Sequence, residues 1–159
     1  MGKILVTYFS ASGITAKAAA KLASVAGADT FEIRPAVPYT KADLNWKDME
    51  SRSSIEMKDK SSRPAIAETC ANIADYDTVF VGFPVWWHIA PTIVNTFLES
   101  CDLKGKTVIP FATSGSTGLG RTNDFLQPSI PESTLLEGRI VTKATEEELA
   151  DWLKELGLK

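Results

Sequence analysis

Three short stretches of the chain hold residues whose types and spacing suit chemistry. The first runs Ser10, Ala11, Ser12, Gly13, Ile14 and Thr15. Its hydroxyls, with a glycine free to adopt positive φ ahead of a helix N-terminus, make a cradle for a phosphate group. It contains no cation. A P-loop needs a lysine after its glycine and a dinucleotide fingerprint needs three glycines, so neither a nucleotide hydrolase nor a dinucleotide site fits. A phosphoacceptor receiver would need acids at this strand end, and none is there. The plainer alternative is a serine-rich turn that caps the helix.

The second stretch is Phe83, Pro84, Val85, Trp86, Trp87 and His88. Two adjacent indoles beyond a strand end are hard to bury together, and either could present its face to a planar ligand. The alternative turns one inward and lays the other over the surface. His88 is the only histidine, and a loop histidine is more often solvated than chemically engaged. The third stretch is Thr113, Ser114, Gly115, Ser116, Thr117, Gly118, Leu119 and Gly120. Its glycines let backbone approach a flat polar edge closely, and its hydroxyls can donate to that edge. Nothing has the spacing of a metal site, and no side chain stands out as catalytic. Cys70 and Cys101 fit no CxxC pattern and read as two small buried hydrophobes in a reducing, cytoplasmic setting.

The elements around these stretches alternate. Residues 3–9 (KILVTYF) form an apolar strand, 15–26 an Ala-rich helix stopped by Gly27, and 29–34 a second strand, an edge by its alternation. Residues 35–63 are a long polar excursion with a short helix near 41–50; such loops are usually functional or disordered. Helical spacing of Ile66, Cys70 and Ile73 marks 64–74, then 78–82 is the third strand. Pro91 opens a helix burying Ile93, Val94, Phe97 and Leu98, and 107–112 is the fourth strand. A weaker helix lies around 123–127, and a short strand near 135–136 or 139–141. The final helix has a capping box, Thr145 with Glu148, and an apolar stripe of Leu149, Trp152, Leu153 and Leu156. Short, continuously apolar strands alternating with helices predict one α/β domain over 1–159 with a parallel sheet covered on both faces.

Size and composition agree. The chain has 159 residues, 44% hydrophobic and 23% charged, with a net charge of −3. That is one ordinary globular domain, with no basic run to suggest nucleic acid. The start MGKILVTYFS does not read as a signal peptide, and no apolar stretch is long enough to span a bilayer. From 64 to 103 there are five acids and no lysine or arginine, whereas 34–63 holds seven basic residues and five acids. A site built from the first of these segments is therefore expected to sit in a negative field.

Beyond the carboxyl ends of parallel strands, a phosphate cradle, a stacking wall and a hydrogen-bonding rim together match a flavin mononucleotide better than a free nucleotide. On these residues the sequence resembles the flavodoxins over nearly its whole length. SxSGxT at 10–15 is similar to their phosphate loop, 84–87 falls at the first flavin-flanking loop, and 113–118 at the second. It is most similar to a bacterial branch with a GxPxWW loop and a stretch like Pro38, Tyr39, Thr40 through Arg63, Pro64 before the third strand. The resemblance implies a doubly wound five-stranded sheet in the order 2-1-3-4-5, the order the fold is known for. It implies FMN as cofactor, with Ser10, Ala11, Ser12, Gly13, Ile14 and Thr15 at the phosphate. Pro84, Val85, Trp86 and Trp87 would flank the ring, one indole stacking on it, and Thr113, Ser114, Gly115 and Gly118 would hold its polar edge. The implied role is an electron carrier between redox partner proteins, a reductase and an acceptor, as a monomer or weak dimer.

Many flavodoxins have a glycine after the third strand whose peptide turns over to stabilise the one-electron-reduced flavin. Between Phe83 and His88 this chain has none. That departure, with the long excursion, favours the alternative of an NAD(P)H-dependent FMN quinone reductase acting on a small molecule. A module that senses a flavin or phosphate ligand and answers by changing a partner contact, without enzymatic activity, is a third reading, with no specific support.

Overall fold

The computed structural model describes residues 3–115 and 117–158; Ser116, one of the third-stretch hydroxyls, lies outside them. Four parallel strands, β1 (Lys3–Tyr8), β2 (Asp29–Glu32), β3 (Tyr76–Pro84) and β4 (Thr107–Thr113), stand in the order β2-β1-β3-β4. The helices are α1 (Ile14–Ala26), α2 (Arg52–Lys58), α3 (Thr92–Glu99), α4 (Thr122–Leu126) and α5 (Glu146–Glu155). Strand residues alternate between two separate cores. Leu5, Val79, Val81 and Val108 pack with Ile93, Val94, Phe97 and Leu98 of α3. Val6, Phe80, Ile109 and Phe111 pack with Ala19 and Leu22 of α1 and Leu149, Trp152 and Leu153 of α5. Both faces of the sheet are therefore covered, which is why its strands read as continuous apolar runs.

The fifth position of the sheet differs from the expected single strand. It holds two pieces, β5 (Thr134–Leu135) and β6 (Arg139–Ile140), each pairing in parallel with β4, so the sheet has six strands. Pro110 is the physical reason. Leu136 N donates to Val108 O at 3.0 Å and Val141 N donates to Ala112 O at 2.8 Å, so the even-numbered residues of β4 face the fifth strand. Pro110, lying between them, has no N–H to give, and the ladder breaks opposite it. Gly138 fills the gap, where a Cβ would come 2.6 Å from Pro110 O.

Two expected helices are absent. Residues 41–50 form successive turns because short polar side chains take the backbone donors: Thr40 N bonds Asp43 Oδ2, Lys47 N bonds Asn45 Oδ1 and Glu50 N bonds Asp48 Oδ1. The helix comes later as α2, capped by Ser51. Residues 64–74 are not helical apart from a 3₁₀ turn, Ile73–Asp75. Instead Ile66 bridges Pro35 antiparallel, with Ala36 N to Ala65 O at 2.8 Å and Ala67 N to Arg34 O at 2.7 Å, which ties the two ends of the excursion together. Elsewhere local signals hold. Gly27 ends α1 in the left-handed region at φ 65°, and Thr145 with Glu148 forms the full capping box of α5. Among the described residues no helix is long and apolar enough to cross a membrane.

Candidate functional site

β1, β3 and β4 deliver the three stretches to one end of the sheet. In the first, Gly13 takes φ 94°, which permits the tight turn into α1. Ser10 Oγ accepts from Gly13 N at 3.0 Å and Ala16 N at 3.2 Å, so the capping alternative is part of the answer. With both acceptances made, that hydroxyl keeps its proton to donate. No residue of the first turn of α1 is acidic. The N–H groups of Ser12, Ile14 and Thr15 have no acceptor among the described residues. Three unanswered donors at the positive end of a 13-residue helix attract an anion. Thr15 is buried, and its Oγ1 lies 2.8 Å from Thr113 Oγ1, which joins the first stretch to the third.

The second stretch splits its indoles as one of the two readings had it. Trp86 is half-buried and meets Phe9 and Tyr39 edge-on, at ring distances of 5.7 and 5.6 Å. Such pairs add about 0.5–1.5 kcal/mol each beyond the area they bury. Trp87 is 39% exposed. Trp86 and Ile89 bond each other's backbone, N to O at 2.9 and 3.2 Å, closing a two-residue hairpin turn over Trp87 and His88. Both turn residues have positive φ, 49° and 67°. That is the sign pattern of a type I′ turn, where Asn-Gly is the usual choice, and the left-handed region costs other residues about 1–2 kcal/mol each. The turn is held by the third stretch. A Cβ on Gly120, itself at φ 55°, would fall 2.3 Å from His88 O, so only glycine fits beneath it. Gly115 and Gly118 have open space around them.

A cavity of about 440 Å³ opens between these loops. Val85, Trp86, Trp87 and His88 line it from the second stretch, and Ser114, Gly115 and Thr117 from the third. Ser114 is fixed there, its N–H on Thr142 Oγ1 at 2.8 Å and its Oγ 3.0 Å from Thr117 Oγ1. The remaining wall is Leu44, Trp46 and Ser53, all from the excursion; a pocket shaped by residues 35–63 and His88 belongs to the reductase alternative, but these three residues were not singled out for it. The one available signal was a tryptophan standing alone in a polar, irregular segment.

Several expected residues do not line this cavity. Pro84 ends β3, Thr113 ends β4 against Thr15, and Gly118 is absent from the lining. The first stretch reaches it only through neighbours, because Thr113 O also accepts from Val85 N at 3.0 Å. Ser10 and Ala11 line a separate hollow of about 430 Å³ with Phe9 and Tyr39.

The expected negative field is also misplaced. Of the five acids in 64–103, Glu68 pairs with Arg34 and Glu99 with Arg63 at 2.9 Å. Asp75 and Asp77 sit at the start of β3 and Asp102 follows α3, all at the opposite end of the sheet. His88, exposed on its turn, is the only titratable side chain in the cavity lining among the described residues.

The excursion is tied down behind the indoles. Tyr39 Oη donates to Glu56 Oε1 at 2.5 Å, Arg52 Nε holds Glu56 Oε2 at 3.1 Å, and the Arg52 guanidinium lies 3.8 Å over the Tyr39 ring. Burial, and then the bond to Glu56, push the Tyr39 hydroxyl well above the ordinary tyrosine range. It stays a proton donor at any working pH. Burial also raises both thiols, Cys101 to about 11, so neither is a reactive thiolate.

A parallel sheet of this order with its loops gathered beyond the strand ends defines the flavodoxin class of α/β proteins. The sequence model of the Flavodoxin family matches residues 3–156, and the chain belongs to that family. A candidate flavoprotein of Bacteroides eggerthii is 48% identical, each chain covered completely, with a TM-score of 0.96. A second, from Bacteroides uniformis, is 49% identical over 96% of this chain and 98% of its own, with a TM-score of 0.92. A flavoprotein of Lactobacillus acidophilus solved in complex with FMN shares the fold at a TM-score of 0.72 and 21% identity, over 96% of this chain and 99% of its own. No curated protein matches significantly.

Proposed function

We propose that this chain binds FMN and serves as a flavodoxin-type electron carrier between two redox partner proteins, a reductase and an acceptor, in the cytoplasm. The observation that carries the reading is the pairing of two features at one end of the sheet. One is a helix N-terminus whose N–H groups are unanswered among the described residues, and the other is an indole-walled cavity in whose described lining His88 is the only titratable side chain. The residues present fit the cofactor. Ser12, Ile14 and Thr15 N–H with the Ser10 hydroxyl suit its phosphate, Trp87 offers an apolar face to its ring, and Ser114 with Thr117 suits the ring's polar edge. FMN itself supplies the redox chemistry, taking up and passing on one or two electrons. The protein binds, orients and shields it. The FMN-bound state of the Lactobacillus acidophilus flavoprotein, which shares the fold, supports the assignment.

The alternative, an NAD(P)H-dependent FMN quinone reductase, is favoured by one observation: Leu44, Trp46 and Ser53 of the excursion enclose the cavity beyond the two flanking loops. A pure carrier needs no such wall. Anaerobic reductive titration of the FMN-loaded protein separates the two. Accumulation of a one-electron-reduced flavin, with slow oxidation of NADH, supports the carrier. Direct two-electron bleaching with turnover of a quinone overturns it in favour of the reductase.

A further inference from the structure

α2 stands between two hollows. Ser53 lines the 440 Å³ cavity, its buried hydroxyl without a partner among the described residues, while Ser54 lines a second hollow of about 250 Å³. Met49, Met57, Lys58, Lys60 and Trp87 complete the second lining. Among the described residues Trp87 alone belongs to both, so its indole is a partition between them.

The second hollow has an apolar body and a positive rim. Met49, 55% exposed, and Trp87 offer thioether and ring surface, and the buried Met57 closes the back. Thioethers beside an indole favour an aromatic guest. The two lysines are held in place, for Lys58 Nζ donates to Met49 O at 2.8 Å and Lys60 Nζ donates to Met57 O. Each spends one proton on a carbonyl and has others to give, and neither pairs with a carboxylate among the described residues.

No carboxylate is in the described lining, and Glu50 stays outside it. Asp48 and Asp59, close along the chain, are turned elsewhere: Asp48 Oδ1 accepts from Glu50 N at 2.9 Å, and Asp59 Oδ1 from Ser61 N and Oγ at 3.0 and 2.6 Å. The Ser54 hydroxyl is also spent, accepting from Ser51 Oγ at 3.0 Å and donating to Asp48 O at 2.8 Å. What remains to read a guest is an apolar slot with two cations at its edge. Its volume falls just short of the roughly 300–1,000 Å³ of drug-sized sites, which limits the guest to one or two rings.

We propose that this hollow is a binding site for a small aromatic carboxylate, separate from the flavin cavity. The ring lies between Met49 and Trp87, and the carboxylate sits on the Lys58 and Lys60 ammonium groups. The site goes beyond the electron-carrier reading and does not depend on it.

The test is equilibrium dialysis of 1-naphthoate, and of neutral 1-naphthamide, against the protein with and without FMN. Lys58→Gln with Lys60→Gln is expected to weaken naphthoate binding roughly tenfold, the scale of two charge-assisted contacts at an exposed rim. Lys58→Arg with Lys60→Arg should keep most of the affinity. Naphthamide should bind wild type at least about tenfold less tightly than naphthoate and respond to neither pair of substitutions. Met49→Ala should weaken both compounds by about threefold. All three substituted side chains are exposed and belong to neither core, so the fold is kept. The proposal is overturned if wild-type protein binds no naphthoate, if naphthamide binds equally well, or if the glutamine variant binds naphthoate as wild type does. It is overturned equally if FMN and naphthoate exclude each other, for the acid would then sit in the flavin cavity. An apoprotein that fails to bind FMN removes the carrier reading alone, because naphthoate binding is measured without the flavin as well.

Discussion

The two ends of the site are built on different terms. Around residues 10–15 the chain uses what a strand-to-helix turn in a parallel sheet offers anyway: one left-handed glycine, a helix dipole, and a serine that folds the turn and keeps a proton to give. Nothing there is strained beyond what glycine tolerates. At the cavity end, two non-glycine residues are held left-handed, a hydroxyl is buried without a partner, and an indole stands in water. The anion cradle proposed there is thus what the fold offers at little cost. The ring cavity belongs to this chain and draws on stability supplied elsewhere.

The largest expected effect breaks the first end alone. Ser10→Ala, which removes the one side-chain donor assigned to the phosphate and the cap it gives the turn, should weaken FMN by roughly 100-fold, since a hydrogen bond to a charged group contributes about 1.5–3 kcal/mol. Riboflavin, which lacks the phosphate, should bind the variant and wild type alike. Equal losses for both flavins would mean the loop shapes the ring cavity rather than holding phosphate. Next is Gly120→Ala, which forces a methyl onto His88 O in a left-handed position. A destabilisation of about 3 kcal/mol is expected in urea unfolding, and a wild-type midpoint would show that the turn is free to move.

Tyr39→Phe removes the bond that ties the excursion to Glu56 and leaves the phosphate end untouched. We expect about 1–2 kcal/mol of lost stability, and faster amide exchange across 39–58 with the protection of α1 unchanged. Replacing Trp87 and His88 together by Asn and Gly should raise stability by about 1 kcal/mol, because that pair suits the turn. Flavin affinity should fall at the same time. A variant that gains stability without losing affinity would deny that the strain serves the site.

The smallest effect is on pH. Hydrogen bonding to Arg63, the main cause, and Ser129 hold the Glu99 carboxyl below the ordinary glutamate range. Its contribution is therefore present above the unfolded glutamate pKa and lost as pH falls through the lower folded value. Acidification should loosen the 63 end of the excursion before the sheet unfolds. Hydrogen exchange at residues 60–66 that is flat with acid pH would contradict this.

What could be read from the sequence was what depends on neighbours along the chain. The apolar runs of β1, β3 and β4, the Gly27 stop and the Thr145–Glu148 box are local signals, and their elements formed where expected. Both pieces of the fifth strand lie where the sequence offered one or the other, 135–136 or 139–141; that both form was not legible, because the cause of the break is Pro110 on another strand. The helix expected at 41–50 lost to side chains that bond their own backbone, a competition that apolar spacing does not register. The same limit applied to the site. Loops joined to strands could be placed by topology, whereas Leu44, Trp46 and Ser53 reach the cavity only because the excursion folds back through Tyr39, Arg52 and Glu56. Charge misled for a related reason: five acids close in sequence are split between ion pairs and the far end of the sheet.

One measurement bears most directly on the central claim that phosphate is held at 10–15 and the flavin ring in the indole-walled cavity. Apoprotein is titrated into FMN and, separately, into riboflavin, following flavin fluorescence. The account predicts that FMN binds at least tenfold more tightly than riboflavin and that both are quenched on binding. Equal affinities, or binding without quenching, would contradict it.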